Sequence, residues 1–205
     1  MCGAQYVTRP LRVAVIGNSI SWSPPQPPFN WAKSNGMAAT SLQTDYAHVL
    51  CEGLAERRHQ SVALMVVQAW PIENAVNATQ PVPGEYAETV NRFAPDVLVT
   101  QFSDNVSPAS AETLTSAHGA FLDSVKWKQA LVCISVWYES HASLNAGMRS
   151  NCAAHGGTFV EIGDIYTAPD MRGSSFDGEM NTGAGTHPND LGHFEIARRV
   201  VLALE

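Results

Sequence analysis

Five short runs of aliphatic and β-branched residues punctuate the chain: Leu11–Gly17, Val62–Val67, Asp96–Phe102, Ala130–Val136 and Thr158–Ile162. They are mostly continuous rather than alternating, and a strand with that pattern has both faces covered. Between them the apolar period changes to that of a helix. Thr44 is expected to cap a helix over Asp45–Arg58, with Ala47, Leu50, Cys51 and Leu54 on one side. Further helices are expected over Gly84–Phe93, Ser110–Lys126, Leu144–Ala154 and Asp190–Leu204. Pro95 closes the first of these, and Gly156-Gly157 supplies a C-terminal cap for the third. Strands that alternate with helices pair in parallel through right-handed crossovers. The expectation is one domain over residues 1–205, a three-layer α/β/α sandwich on a five-stranded, mainly parallel sheet.

Composition agrees with a folded core and narrows the partners. The 205 residues are 45% hydrophobic and 15% charged, with a formal net charge of −7. A chain of this size buries roughly 70% of its unfolded surface without help from a metal or disulfide. The basic pairs Arg57-Arg58 and Arg198-Arg199 fall on helical faces, and no basic patch suggests nucleic acid. No segment has the roughly 18 apolar residues of a membrane span. No signal-peptide pattern opens the chain, and a soluble protein is expected. Cys2, Cys51, Cys133 and Cys152 form no CxxC pair. Cys51 and Cys133 are expected as small buried hydrophobes, and nothing requires a disulfide.

Two stretches break the strand–helix rhythm. Residues 20–41 carry a Trp- and Pro-rich insertion that includes Trp22, Phe29 and Trp31, and residues 163–185 are rich in Gly, Asp and Ser. Loops this long in a compact domain usually carry function. The first follows Ser19 and the second precedes His187, so both are expected to flank one end of the sheet. Aromatic faces there suit a sugar ring or another apolar ligand.

Ser19 follows the first strand directly, in Gly17-Asn18-Ser19, where open α/β sheets present their chemistry. Asn18 and Ser19 could simply cap a turn. A serine is a poor nucleophile without an adjacent base, and histidine titrates nearest to neutral pH. Of seven histidines, His187 ends a loop and precedes Pro188, whose fixed φ suits the first turn of a helix. That places it at the same sheet edge as Ser19. Asn105 lies just beyond the third strand, where its amide could donate to a developing oxyanion beside the Ser19 N–H. Cys152-x-x-His155 with His187 and His193 fits no common zinc site. The residues after Gly17 lack the glycine-rich loop of a nucleotide or flavin site. No cofactor is expected.

In this ordered set the chain resembles the SGNH, or GDSL-type, hydrolases. Gly17-Asn18-Ser19 matches the family's first motif with Asn for Asp, Ser103-Asp104-Asn105 its third with Ser for Gly, and His187-Pro188 its last. The resemblance spans nearly the whole chain. It implies a flavodoxin-like sheet, Ser19 as nucleophile, His187 as general base, and Asn105 with the Ser19 N–H as oxyanion donors. It also implies an esterase acting on small acyl groups, with O-acetyl groups on a carbohydrate as the first expectation. An acyltransferase using the same site, or a catalytically weakened glycan-binding module, are the alternatives.

Two positions depart from the family pattern. Ala184 stands three residues before His187, where the family has Asp. Three outcomes follow: a backbone carbonyl orients His187, Asp177 or Glu179 swings in, or the site is weak or inactive. The stretch Gln68–Asn74 holds no glycine, so a second main-chain donor would have to come from Ile72 or Glu73, for example. Pro71 has no N–H to give.

Overall fold

The computed structural model describes residues 9–29, 31–173 and 183–205. Five parallel strands form one sheet: β1 Leu11–Gly17, β2 Val62–Gln68, β3 Val97–Gln101, β4 Ala130–Ile134 and β5 Thr158–Val160. Their order is β2-β1-β3-β4-β5. The helices are α1 Tyr46–Arg58, α2 Trp70–Asn77, α3 Glu85–Phe93, α4 Ala111–Ser124, α5 Asn145–Ala154, α6 Gly163–Thr167 and α7 Asp190–Ala203. The expected three-layer sandwich is the fold observed, and the apolar runs are its strands.

The three central strands, β1, β3 and β4, have the burial their pattern predicted, and the edge strands β2 and β5 do not. Val13, Val15, Val97, Val99, Val132 and Ile134 face α1 and α7, meeting Leu50, Leu54, Ile196 and Val200. Ala14, Ile16, Leu98, Leu131 and Cys133 face the other way, onto Ile72, Val90, Leu114, Phe121 and Met148. Each fully buried aliphatic side chain of this kind is worth about 2 kcal/mol of hydrophobic stabilisation. β1 and β3 are buried nearly throughout, whereas the edge strand β2 is half-buried at all seven positions.

Three local expectations are corrected. The cap of α1 is Asp45, not Thr44, because the Asp45 carboxylate accepts the His48 N–H. Residues 70–77, unassigned from their sequence, form α2, with Pro71 inside the first turn where no N–H is needed. Cys133 is not a free hydrophobe: it is disulfide-bonded to Cys152, with a Cα–Cα distance of 6.1 Å, and ties β4 to α5. The sequence could not show this because the two are 19 residues apart and meet only through the sheet. Closing a loop of that length stabilises by about 3 kcal/mol. Cys133→Ser combined with Cys152→Ser should therefore unfold at lower urea by about 2–4 kcal/mol, and a reducing agent should shift the wild type but not the variant. Gly156, at φ +70°, fills the left-handed position after α5 as expected.

The strand order puts a topological switch point between β1 and β3. The chain leaves β1 for α1 on one face of the sheet, and reaches β3 from α2 and α3 on the other. A crevice opens at the carboxyl ends of those two strands. Among the described residues no helix is long and apolar enough to cross a membrane.

Candidate active site

The crevice begins where β1 ends. The Asn18 N–H donates to the Gln101 carbonyl of β3 (3.0 Å), and the Ala69 N–H donates to the Gly17 carbonyl (2.6 Å). These bonds fix the three strand ends against one another. Gly17 cannot carry a side chain, because a Cβ there would overlap the Ser21 hydroxyl. Met37 N–H donates to the Ser19 carbonyl (2.8 Å). The Trp- and Pro-rich insertion is thus anchored beside Ser19.

His187 arrives from the opposite end of the chain. A single 3₁₀ turn, Gly183–Thr186, delivers it, and Asn189 then caps α7 by accepting the Gly192 N–H (3.1 Å). Pro188 lies just before that cap rather than inside the helix. The segment is held on both sides. The His187 carbonyl accepts from Gly173 N–H (2.7 Å), and the Thr186 carbonyl accepts from the Trp137 indole (2.8 Å). The Tyr138 ring stands edge-on to the imidazole at 6.5 Å.

Ser19 Oγ and His187 Nε2 are 2.7 Å apart. On the other side of the ring, Nδ1 lies 2.7 Å from the Gly183 carbonyl. A carbonyl only accepts, so Nδ1 carries the proton and Nε2 is left to accept from the serine hydroxyl. Of the three outcomes open at Ala184, the described residues show the backbone carbonyl. Asp177 and Glu179 lie outside the described residues. Burial drives the His187 pKa down to about 4, against a smaller upward effect of the Gly183 carbonyl. The imidazole is therefore neutral at pH 7.

Asn105 sits beyond β3 and lines the same cavity as Ser19. Its Nδ2 donates to Glu73 Oε2 (2.6 Å). The donor expected after β2 is not where it was sought. Ile72 N–H and Glu73 N–H both turn back to the Ala69 carbonyl (2.9 and 3.1 Å), because the segment is the first turn of α2. The Trp70 N–H is taken by the Gln68 side chain.

Beneath the serine lies a buried polar cluster that the sequence reading missed. Glu73 Oε1 accepts from Ser103 N–H (2.7 Å) and from Asn18 Nδ2 (3.1 Å). Asn18 Nδ2 also donates to Asp104 Oδ2 (2.9 Å), which accepts from Gln101 Nε2 (2.7 Å) as well. Asp104 Oδ1 takes the Trp137 N–H (2.6 Å). Burial raises both carboxyls: Glu73 to about 7, and Asp104 above the usual carboxylate range. One signal for this was present. Glu73 falls between Ile72 and Val76 on the side of α2 that packs inward, a costly place for a carboxylate without donors.

The cavity has a volume of about 710 Å³. Ser19, Gln26, Gln68, Asn105, Thr186 and His187 bring polar side chains to it, while Trp22, Phe29, Met37, Trp70, Tyr86 and Tyr138 supply much of the rest. Among the described residues no carboxylate, lysine or arginine lines it. Trp22 and Phe29 stand in its wall as expected. Trp31 does not: it is buried at 6% exposure and points its indole at the Ser23 carbonyl, pinning the insertion from within.

No family model matches the sequence, and no curated protein matches it either. Solved structures do. A protein assigned as a GDSL-like lipase from Parabacteroides merdae superposes with a TM-score of 0.61 at 14% identity, covering 97% of each chain. A psychrotrophic esterase from a Pseudoalteromonas species superposes with a TM-score of 0.55 at 8% identity, covering 94% of this chain and 95% of the other. An SGNH hydrolase assignment from Slackia heliotrinireducens gives a TM-score of 0.54 at 14% identity, over 96% of this chain and all of the other. Together with the strand order and the crevice, these likenesses show that the chain has the fold of the SGNH, or GDSL-type, hydrolases.

Proposed function

We propose that the protein is a serine ester hydrolase of the SGNH type. Ser19 is the nucleophile, His187 the general base, and the Ser19 N–H with the Asn105 amide the oxyanion donors. The observation that carries this reading is the 2.7 Å contact of Ser19 Oγ with His187 Nε2, in a ring whose Nδ1 is held by Gly183. Nε2 takes the hydroxyl proton as Oγ attacks the ester carbonyl. The same proton then passes to the alcohol leaving group, and water repeats the sequence on the acyl-enzyme.

The Gly183 carbonyl does part of the work that an aspartate at position 184 would do. It fixes the tautomer, whose loss costs about 10⁴ in rate in a serine protease. It does not supply a full negative charge to the imidazolium, so proton transfer gains less than it would beside a carboxylate. Being main chain, it cannot be removed by substitution at Ala184.

Among the described residues the wall is uncharged and carries five aromatic side chains, which favours a neutral ester. Small acyl groups, O-acetyl on a carbohydrate first among them, agree with Trp22 and Phe29 as stacking faces. The acyl-enzyme could equally pass its acyl group to a sugar hydroxyl, which is the acyltransferase variant. Hydrolysis of p-nitrophenyl acetate by the wild type and Ser19→Ala tests the reading, and turnover that survives the substitution would sink it. The pH dependence carries a further expectation. His187 loses its capacity to accept a proton only as pH falls through about 4, so that acid limb should lie well below the 6.5 of an ordinary histidine. A pH profile of kcat/KM down to pH 3.5 checks it.

A further inference from the structure

The site contains a carboxylate that the mechanism above does not use. Glu73 is fully buried, yet its oxygens are not idle. Oε1 accepts from Ser103 N–H and Asn18 Nδ2, with the Asn105 N–H more distant at 3.4 Å. Among the described residues Oε2 accepts from one group, the Asn105 amide nitrogen at 2.6 Å. An ionised carboxylate can only accept, so it dictates which end of the Asn105 amide faces it. The nitrogen must, and its second hydrogen is left for the cavity that Asn105 shares with Ser19. Asn105 is itself exposed and makes no comparable side-chain contact elsewhere among the described residues. Glu73 alone settles its orientation.

We propose that Glu73 is a positioning residue for ester hydrolysis: its ionised carboxylate locks the Asn105 amide as an oxyanion donor. The proposal rests on the esterase reading of Ser19. Protonation would release the lock. Oε1 is already crowded with donors, so a proton would settle on Oε2 and confront the Asn105 N–H. The amide would then turn its oxygen inward. Burial already holds Glu73 near 7. The titratable groups facing it are Asp104, from the segment after β3, and Tyr138, from the segment after β4; His141 faces Asp104 in turn. Asn18 and Asn105 complete its surroundings with uncharged amides.

Glu73→Gln puts an amide NH₂ against the Asn105 NH₂ and should reverse Asn105. Loss of one oxyanion donor costs about 10²–10³ in kcat. With p-nitrophenyl acetate, Glu73→Gln should lose about 10² in kcat with KM within about threefold. The wild type should show a kcat step near pH 7, above the His187 limb, that is missing from Glu73→Gln. In an Asn105→Ala background, Glu73→Gln should cost nothing further, since its target is gone. If Glu73→Gln does not fold, Asn105→Ala alone still decides the matter, because it must abolish the pH 7 step. Ser19-dependent hydrolysis with an unchanged kcat in Glu73→Gln, or a pH 7 step that survives Asn105→Ala, overturns the role of Glu73 only. Hydrolysis that is absent from the wild type, or that survives Ser19→Ala, overturns the esterase reading on which it rests.

Discussion

Ser19→Ala and His187→Ala are each expected to lower kcat for a neutral ester by at least about 10³-fold, with little change in KM. The double variant should be scarcely slower than either single one, because the two groups act as a unit in one proton transfer. Neither change should unfold the protein. Ser19 is half-exposed at the mouth of the crevice, and its anchoring bond to Met37 comes from its carbonyl, not its side chain. His187 is held by its own main chain as well as by its ring. Steady-state kinetics beside a thermal melt would separate loss of chemistry from loss of fold.

Asn18→Asp is expected to be the most damaging conservative change in the molecule. It restores the residue that the family motif carries at this position, yet this chain has built around the amide. Asn18 is fully buried, and its Nδ2 bridges Glu73 Oε1 and Asp104 Oδ2. An aspartate would replace two donated hydrogen bonds with a third carboxyl among two buried acids. Each buried acceptor left without its donor costs about 1–3 kcal/mol, and unpaired buried charge costs more. A loss of about 3 kcal/mol or more is expected in urea unfolding at pH 8, where all three carboxyls are driven to ionise. The loss should shrink toward pH 5, where protonation relieves the cluster. A variant as stable as the wild type at pH 8 would show that Asn18 does not bridge the two acids.

Most of the scaffold was legible because it is written in local patterns. Continuous Val, Ile and Leu runs have few ways to be buried, and strands joined by helices close in one hand. Ser19, Asn105 and His187 were legible for a related reason: each follows a strand or precedes a helix, so topology alone brings them to one edge. What escaped depends on contacts between distant segments, or on turns and helix starts whose residues read as breaks. The Cys133–Cys152 bond needs the β4–α5 packing. A backbone carbonyl was one of the three outcomes open for His187, but the turn that supplies it from Gly183 has no side-chain signature to select it. Helix α2 was hidden by Trp70-Pro71, which reads as a break and is instead a helix start. Without α2 nothing in the sequence turns the Glu73 carboxylate inward, although it is the centre of the buried cluster. Trp31 looked like a ligand face because an aromatic in a loop gives no sign of which way it turns.

The central claim is that Ser19 is a nucleophile activated by His187. Its most direct test is covalent. The protein, incubated with a fluorophosphonate at pH 8 and digested, should carry one phosphonyl adduct on the peptide containing Ser19. Labelling should be abolished in Ser19→Ala and slowed at least about 10²-fold in His187→Ala. An unlabelled Ser19, or labelling as fast without His187 as with it, would contradict the account.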